Sequence, residues 1–268
     1  LAFLDGDPTA EEWVEGELTF EGETVGPVGI RYKGSIGAWF GCVGSGGFLA
    51  TGPKTCTKLS MKVKVNWDDP DREVYGVRRL QFHALNLDDS LMHDRLGYWF
   101  FREMDVPASR STHARLEVNG EFVGLFALTE QIDGRMTREN FDDGTGNLYK
   151  EVWPFTYDGD VVSEDTLSTG LKTNEDENPS FDLVRTFAAE LIAATTDEER
   201  RAVIEAYMDV DATLTHFAVD RTIRHDDGPL HWYCGIPTGS ATGRCGPHNY
   251  YIYDCLLYTS PSPRDMWT

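Results

Sequence analysis

The residues in this sequence that are best suited to chemistry lie between Asp220 and Asp254. Two adjacent carboxylates, Asp226 and Asp227, are followed along the chain by Asn249. A carboxylate that accepts a proton, together with an Asn that holds a divalent ion, is an arrangement used in phosphoryl transfer. The alternative interpretation is a structural role, because an Asp pair before Gly-Pro also favours a turn.

Basic residues that could bind phosphate lie on two predicted strands in the first half of the chain. The segment KLSMKVKVN alternates, with apolar residues on one face and Lys58, Lys62 and Lys64 on the other. This lysine face is either solvated or lines an anionic site where one lysine contacts phosphates. The preceding strand, VGPVGIRYKG, ends in a second basic pair, Arg31 and Lys33.

The elements that must position these residues form a β-rich first half. A Gly-rich loop over residues 34–55 separates the two basic strands, and a helix is predicted from residues 88–90 to 104, packed inward by its apolar residues. Two further strands, ARLEVNG and FVGLFALTEQ, are joined by Asn119-Gly120, a strong hairpin signal. The pattern then becomes polar and helical over residues 131–140, where we place the boundary.

The second half of the chain is predicted to be mainly helical. Residues 156–180 are acidic and rich in Ser and Thr, which predicts an exposed loop. Helices follow over residues 181–194, from a capping box of Thr196 with Glu199 to residue 208, and over residues 211–224. The last helix leads into the Asp226-Asp227 pair, and HNYYIYD is predicted to be a strand that places Asn249 nearby.

Composition limits the classes of protein and partner. The chain has 268 residues, of which 40% are hydrophobic, so it can bury the core of one two-lobed domain or two small ones. Its formal net charge of −21 argues against nucleic acid or an anionic membrane as the main partner. No apolar run approaches the roughly 20 residues of a membrane span, and no signal peptide is visible.

The cysteines indicate the compartment. Cys42 with Cys56 and Cys234 with Cys245 each flank a Gly-rich loop, which favours two local disulfides and an oxidising compartment, with free thiols as the alternative. The fifth, Cys255, begins the sequence CLLYTSPSPRD over residues 255–265, which resembles a translated sequencing adapter. Residues 255–268 are therefore expected to be a non-native tail.

Several motifs occur in the order found in one family. They are GIRYKG, KLSMKVKV, LNLDDSLMHDRLGYWFFREMDVPASR, ARLEVNGEFVGLFALTEQID, GNLYK, HDDG and HNYYIYD. Together they resemble the spore-coat protein H (CotH) family of atypical secreted kinases, over most of residues 25–254. The resemblance implies an α+β, two-lobed protein-kinase-like fold, with a β-rich N-lobe containing one long helix (residues 1–132) and a mainly helical C-lobe (residues 133–254).

The resemblance also implies roles for individual residues. Asp227 takes the position of the acid in the family's N-x-D motif, with His225 in place of the usual Asn and Asp226 as a competitor. The acid would orient the substrate hydroxyl and accept its proton. Asn249 would ligate Mg²⁺ or Mn²⁺.

The remaining implied roles concern ATP. Lys62, or failing that Lys58, would contact the nucleotide phosphates. Arg31 and Lys33 match the family's RYKG and would frame the same pocket, and Glu130 with Gln131 would face the nucleotide. For each of these residues, the alternative is an ordinary surface or ion-paired side chain.

The function implied is ATP- and metal-dependent phosphorylation of Ser or Thr in secreted, cell-surface or spore-coat proteins. In the family a W-D-x-D segment that binds metal follows the strand HNYYIYD, and here the adapter-like sequence begins instead. The chain is thus expected to be a fragment, truncated at both ends and nearly inactive. The alternative is a non-catalytic adhesion or coat-assembly module on the same fold. A metal-dependent hydrolase is least favoured, because the histidines show no H-x-x-x-H spacing.

Overall fold

The computed structural model describes residues 2–34, 36–39, 41–44, 51–156, 158–177, 179–231 and 249–254. The chain divides into two units, one formed by Leu1–Trp99 and Ser109–Gln131 and the other by Phe100–Ala108 and Ile132–Thr268. Both helices and strands are present, as an α+β fold requires. The assignment of the units as kinase lobes, with a division between residues 132 and 133, stays a prediction.

An antiparallel sheet of six strands dominates the first unit, in the order β1-β2-β3-β4-β6-β5. Its strands are β1 Val14–Phe20, β2 Glu23–Tyr32, β3 Met61–Lys64, β4 Arg79–His83, β5 Ser111–Val118 and β6 Glu121–Thr129. The short helices α1 Ala2–Gly6 and α2 Ile36–Trp39 and a 3₁₀ turn at Pro8–Ala10 accompany it. Cys42 and Cys56 form a disulfide, as predicted, whereas the predicted Cys234–Cys245 pair lies outside the described residues.

Alternation along β3 gives the sheet one apolar and one polar face. Met61 and Val63 are buried and Lys62 and Lys64 are partly exposed, which confirms the half-buried strand predicted from the sequence. The apolar face contributes to a core with these members: Leu4, Val28, Tyr32, Cys42, Val43, Leu59, Met61, Val63, Phe82, Ala84 and Phe126. The polar face is therefore the one available for binding charged groups.

The hairpin between β5 and β6 is the one that Asn119-Gly120 predicts. The two strands pair from Ser111 opposite Thr129 to Val118 opposite Glu121. Asn119 and Gly120 both have positive φ, 53° and 83°, as the two-residue turn that matches strand twist requires. Local turn chemistry thus fixes the register of these strands.

The long helix of the first half, α3, covers His93–Glu103 and begins later than predicted. The carboxylate of Asp88 accepts hydrogen bonds from the backbone N–H groups of Ser90 (3.0 Å) and His93 (2.7 Å), so the residues before His93 form turns. The predicted inward packing is wrong, because no residue of α3 is buried and Leu96 and Trp99 are each 49% exposed. A hydrogen bond from His83 Nδ1 to the Asp94 carboxylate attaches the helix to the sheet instead.

The second unit contains five helices among its described residues and a two-stranded antiparallel sheet. The helices are α4 Gly134–Asn140, α5 Glu164–Gly170, α6 Asp182–Ala193, α7 Asp197–Tyr207 and α8 Val210–Thr222, and the strands are β7 Asn147–Lys150 and β8 Tyr251–Asp254. Its main core cluster consists of Tyr149, Val152, Val162, Leu167, Leu171, Val184, Tyr250 and Ile252. Within the described ranges, no helix is both long and apolar enough to cross a membrane.

Two predictions for this unit have opposite outcomes. The capping box at α7 is confirmed, since Thr196 accepts from the backbone of Glu199 and Glu199 from the backbone of Thr196. The exposed loop predicted over residues 156–180 is wrong, because it contains α5 and buries Leu167 and Leu171. Two leucines four residues apart are enough to anchor this helix, but they are too few for a periodic signal.

Candidate functional site

The Asp226-Asp227 pair lies in a tight turn just after α8. The backbone N–H of Gly228 donates to the carbonyl of His225 at 3.2 Å, which closes the turn. Both carboxylates are exposed. The turn predicted from the sequence is therefore confirmed for the backbone. In this turn the side chains of both acids are exposed to solvent.

Asn249 lies beside this turn, immediately before β8. Its side-chain nitrogen donates to the Asp227 carboxylate at 2.5 Å and to the Asp227 carbonyl at 2.9 Å. Its φ is 51°, a left-handed conformation that Asn tolerates better than most residues. The structure thus brings together the predicted base and the predicted metal ligand, which are 22 residues apart in sequence.

Glu151 is a third polar residue of this site, and no pattern in the sequence pointed to it. Its Oε1 accepts a hydrogen bond from the backbone N–H of Asn249 at 3.0 Å and lies 3.7 Å from Lys150 Nζ. The backbone N–H of Glu151 in turn donates to the carbonyl of Tyr250. The pairing of β7 with β8 therefore places Glu151 next to Asn249. Sequence spacing does not predict this contact, because the two strands are far apart along the chain.

Asp220 and His225 are packed against the turn, next to Gly228. The Asp220 carboxylate is only 1% exposed, and its Oδ1 is 2.9 Å from His225 Nδ1. Its Oδ2 and the Nδ1 of His216, one helical turn earlier, are buried without hydrogen-bond partners among the described residues. Burial lowers the pKa of His216. No sequence signal identified Asp220, because a buried Asp near a helix end resembles an ordinary helix residue.

Asp254, at the end of β8, is buried in the same unit. It accepts hydrogen bonds from the backbone N–H of Asn147 at 2.8 Å and from the Tyr149 hydroxyl at 3.0 Å. Burial raises the pKa of this carboxyl to about 7. Asp254 therefore holds the two-stranded sheet together, and it does so in an environment that disfavours its charge.

The residues around Asn249 offer oxygen donors for a metal. Across the part of the chain that the structure describes, no three His, Cys, Asp or Glu side chains are grouped so that they could hold an ion. Mg²⁺ is commonly bound by one or two carboxylates together with substrate phosphates and water. The Oδ1 of Asn249, whose side-chain nitrogen donates to Asp227, is an oxygen donor suited to such a site.

In the first unit, a row of polar residues crosses four strands of the sheet. Arg31 pairs with Lys62, Lys62 with Gln81, and Gln81 with Thr129. Directly paired residues of antiparallel strands project from the same face. Arg31 and Lys62, both predicted to frame a phosphate site, are therefore neighbours on the polar face.

Lys33 joins this face through a chain of hydrogen bonds. Its Nζ lies 2.7 Å from Gln81 Oε1 and 2.9 Å from His83 Nε2. The Nδ1 of His83 is 2.6 Å from the Asp94 carboxylate, at the start of α3. Because the lysine donates to Nε2, the proton of a neutral His83 lies on Nδ1, where it is donated to Asp94.

The other candidate basic residues have structural contacts. Arg31 forms an ion pair with Glu11, and its guanidinium lies 5.1 Å from the centre of the Trp13 ring. Lys58 precedes β3, and its Nζ donates to the carbonyl of Leu125 at 2.6 Å. Burial lowers the pKa of Lys58. Of the two lysines proposed for the phosphates, Lys62 is the one that lies within β3.

Glu130 and Gln131, the last residues of the first unit, differ in their surroundings. The Oε2 of Glu130 accepts from the backbone N–H of Arg110 at 3.1 Å and from its Nε at 3.0 Å, and a third bond joins the two side chains. Gln131 Oε1 is buried without a hydrogen-bond partner among the described residues. Glu130 therefore belongs to an ion pair, while Gln131 retains an acceptor for a ligand. The roles assigned to all these residues stay predictions.

Comparison with known proteins adds one finding. A family model described as CotH kinase protein matches residues 30–268. No curated protein matches the chain. The match covers the six motifs from KLSMKVKV to HNYYIYD, the Asp227 turn and the strand after Asn249.

Proposed function

The chain belongs to the CotH kinase protein family, and we propose that it acts as a protein kinase on Ser or Thr hydroxyl groups of coat, cell-surface or other extracellular proteins. ATP is the phosphate donor, with Mg²⁺ or Mn²⁺ as the metal. The Cys42–Cys56 disulfide supports an oxidising compartment. The contact between Asp227 and the side-chain nitrogen of Asn249 carries the proposal, because it places a proton acceptor beside a residue whose Oδ1 could ligate a metal.

In the proposed reaction the substrate hydroxyl oxygen forms a bond to the γ-phosphorus of ATP. The bond from the γ-phosphorus to the bridging oxygen breaks, and ADP leaves with that electron pair. The Asp227 carboxylate orients the hydroxyl and takes its proton, for which an exposed carboxylate in a fixed turn is suited. The Asp227 carboxylate accepts a hydrogen bond from the side chain of Asn249, and this contact is the reason for choosing Asp227 as the base.

The nucleotide and metal are assigned to residues by their chemistry. Bound to Asn249, Mg²⁺ or Mn²⁺ would neutralise charge on the transferring phosphates. Within the first unit, Lys62 would contact nucleotide phosphates as a point charge, and Lys33 would add positive charge. The buried Oε1 of Gln131 is an acceptor suited to an N–H of the base.

Thermal stability measured with and without nucleotide tests this proposal. With ATP and Mn²⁺, the melting temperature of the chain should rise, because a ligand at 100 times its Kd stabilises the native state by about 2.7 kcal/mol. Asp227→Ala and Asn249→Ala should remove this stabilisation. Glu205→Ala, which removes an exposed acid of α7 in the same unit, is the matched control and should retain it.

The second measurement is transfer of labelled phosphate from ATP to a Ser- and Thr-rich protein, made with versions that carry the family's W-D-x-D segment, since the chain without it is expected to be nearly inactive. Loss of a positioned proton acceptor costs about 10²- to 10⁴-fold in rate, so Asp227→Ala should lie below Glu205→Ala by that factor. If neither nucleotide nor Mn²⁺ shifts the melting temperature of the wild-type chain, the kinase proposal fails. That result would favour the non-catalytic adhesion or coat-assembly module.

A further inference from the structure

The buried carboxylate of Asp220 links the turn that contains Asp227 to the end of α8. Asp220 lies in the last turn of that helix, and its Oδ1 is 2.9 Å from Nδ1 of His225. The backbone repeats this link, since the N–H of His225 donates to the carbonyl of Asp220 at 3.0 Å. Two hydrogen bonds between the same two residues therefore determine the direction in which the chain leaves the helix.

Gly228, at the other end of the turn, lies directly against this pair. A Cβ built on Gly228 would come within 2.2 Å of Asp220 Oδ1 and 2.6 Å of His225 Nδ1. Atoms cannot approach so closely, so any larger residue here would displace Asp220, His225 or the turn itself. The Asp220–His225 pair is thus packed under the backbone that presents Asp226 and Asp227.

Burial makes this pair difficult to separate. Asp220 is 1% exposed, and its second oxygen has no hydrogen-bond partner among the described residues. A buried carboxylate that loses its partner is strongly disfavoured. Its hydrogen bond to His225 is therefore the main constraint on both side chains, and it restricts the turn to one conformation.

We propose that Asp220 is a positioning residue for the site, acting through His225. It fixes the turn so that the Asp227 carboxylate meets the side-chain amide of Asn249, the contact on which the proposed function rests. Neither Asp220 nor His225 need touch the substrate for this role. Displacement of a reacting group by about 1 Å can cost 10²-fold in rate, so a rigid support beneath Asp227 has a direct catalytic consequence.

Four variants and one control distinguish a positioning role of Asp220 from a general effect on the stability of the protein. Asp220→Ala and His225→Ala remove the acceptor and the donor of the bond. Asp220→Asn keeps an acceptor oxygen, and His225→Asn keeps a short side chain with an N–H donor, so both conservative variants should restore much of the function. Val219→Ala is the matched control, because Val219 is equally buried on the same helix and takes no part in the bond.

The first readout is the affinity for ATP with Mn²⁺, measured where every variant is folded. Loss of an outer partner of a metal ligand typically costs roughly 10- to 100-fold in metal affinity, and we expect a loss of that size in both alanine variants. Val219→Ala should lower the melting temperature without a comparable loss of affinity. If Val219→Ala loses as much affinity as Asp220→Ala at an equal loss of melting temperature, the positioning role is wrong.

The second readout does not depend on nucleotide. Hydrogen exchange of the Gly228 amide, which closes the turn, should accelerate in Asp220→Ala and His225→Ala relative to Val219→Ala. Unchanged exchange at Gly228 would overturn the inference even if nucleotide binds. If wild-type protein binds no nucleotide but exchange accelerates as expected, the proposed function fails and the role of Asp220 in fixing the turn is retained.

Discussion

At the scale of single residues, Asp254 is a carboxylate whose environment opposes its charge. It is 2% exposed, and its hydrogen bonds come from Asn147 and Tyr149. Burial raises its pKa to about 7, from 3.8 in the absence of the fold. The native state therefore binds a proton at Asp254 over a pH range in which the unfolded chain has released it.

This difference predicts a pH dependence of stability. The stabilisation from protonated Asp254 is fully present below the unfolded pKa near 3.8 and is lost as pH rises towards about 7. Asp254→Asn, which carries no titrating group, should lack this component. Urea unfolding of both proteins between pH 4 and 8 measures it, with Asp182→Asn as a control at an exposed acid. Parallel curves for wild type and Asp254→Asn would contradict the prediction.

Residue types and order along the chain were enough to select Asp227 and Asn249, since each has a chemistry that is visible in its own side chain. They were not enough to select Asp220, Glu151 or Asp254. The importance of these three acids comes from burial or from partners that the β7–β8 pairing and the turn after α8 bring to them. Sequence spacing contains no information about such contacts.

At the scale of secondary structure, the features predicted best are those whose sequence signal lies within a few neighbouring residues. The capping box of α7 and the Asn119-Gly120 hairpin each depend on side chains or φ angles next to the feature itself. The start of α3 was predicted too early, because Asp88 caps the turns before His93. The helix α5 was missed, because its two buried leucines are too few for a periodic signal. Short elements with mixed composition are stabilised mainly by tertiary contacts.

The capping box gives a prediction for α7. Thr196→Ala removes the side chain that accepts from the Glu199 backbone and should reduce the free energy of unfolding by about 1 kcal/mol. Thr196→Ser retains the hydroxyl and is the control, with an expected loss well below that of alanine. The measurement is urea unfolding followed by far-UV circular dichroism. Equal losses in the two variants would show that the methyl group, and not the cap, is responsible.

At the scale of the whole molecule, the Cys42–Cys56 disulfide is the covalent constraint that the structure describes. It closes a loop with a sequence separation of 14 residues in the first unit. In the chain-entropy account, closing a loop of about 15 residues restricts the unfolded state and contributes about 3 kcal/mol. The polar face of the sheet, with Lys62 and Lys33, belongs to the same unit.

We expect the double variant Cys42→Ser with Cys56→Ser to lose about 3 kcal/mol of unfolding free energy. Substituting both cysteines avoids a new free thiol and leaves the other cysteines unchanged. Dithiothreitol should lower the free energy of unfolding of the wild-type protein by reducing this disulfide. The double variant lacks the disulfide, so this contribution to the effect of dithiothreitol should be absent from it. A double variant as stable as wild type would mean that the unfolded chain is not restrained by this crosslink.

The pairing of β7 with β8 also affects when the site forms during synthesis. Asn147 and Asp254 are joined across 107 residues, so β7 leaves the ribosome long before its partner strand. At about 5 to 20 residues per second, that interval lasts roughly 5 to 20 seconds. Throughout it, the edge of β7 lacks its partner strand, whereas Asp227, 22 residues before Asn249, is without Asn249 for only about 1 to 4 seconds. A chaperone that shields β7 would act on the nascent chain rather than on the finished protein.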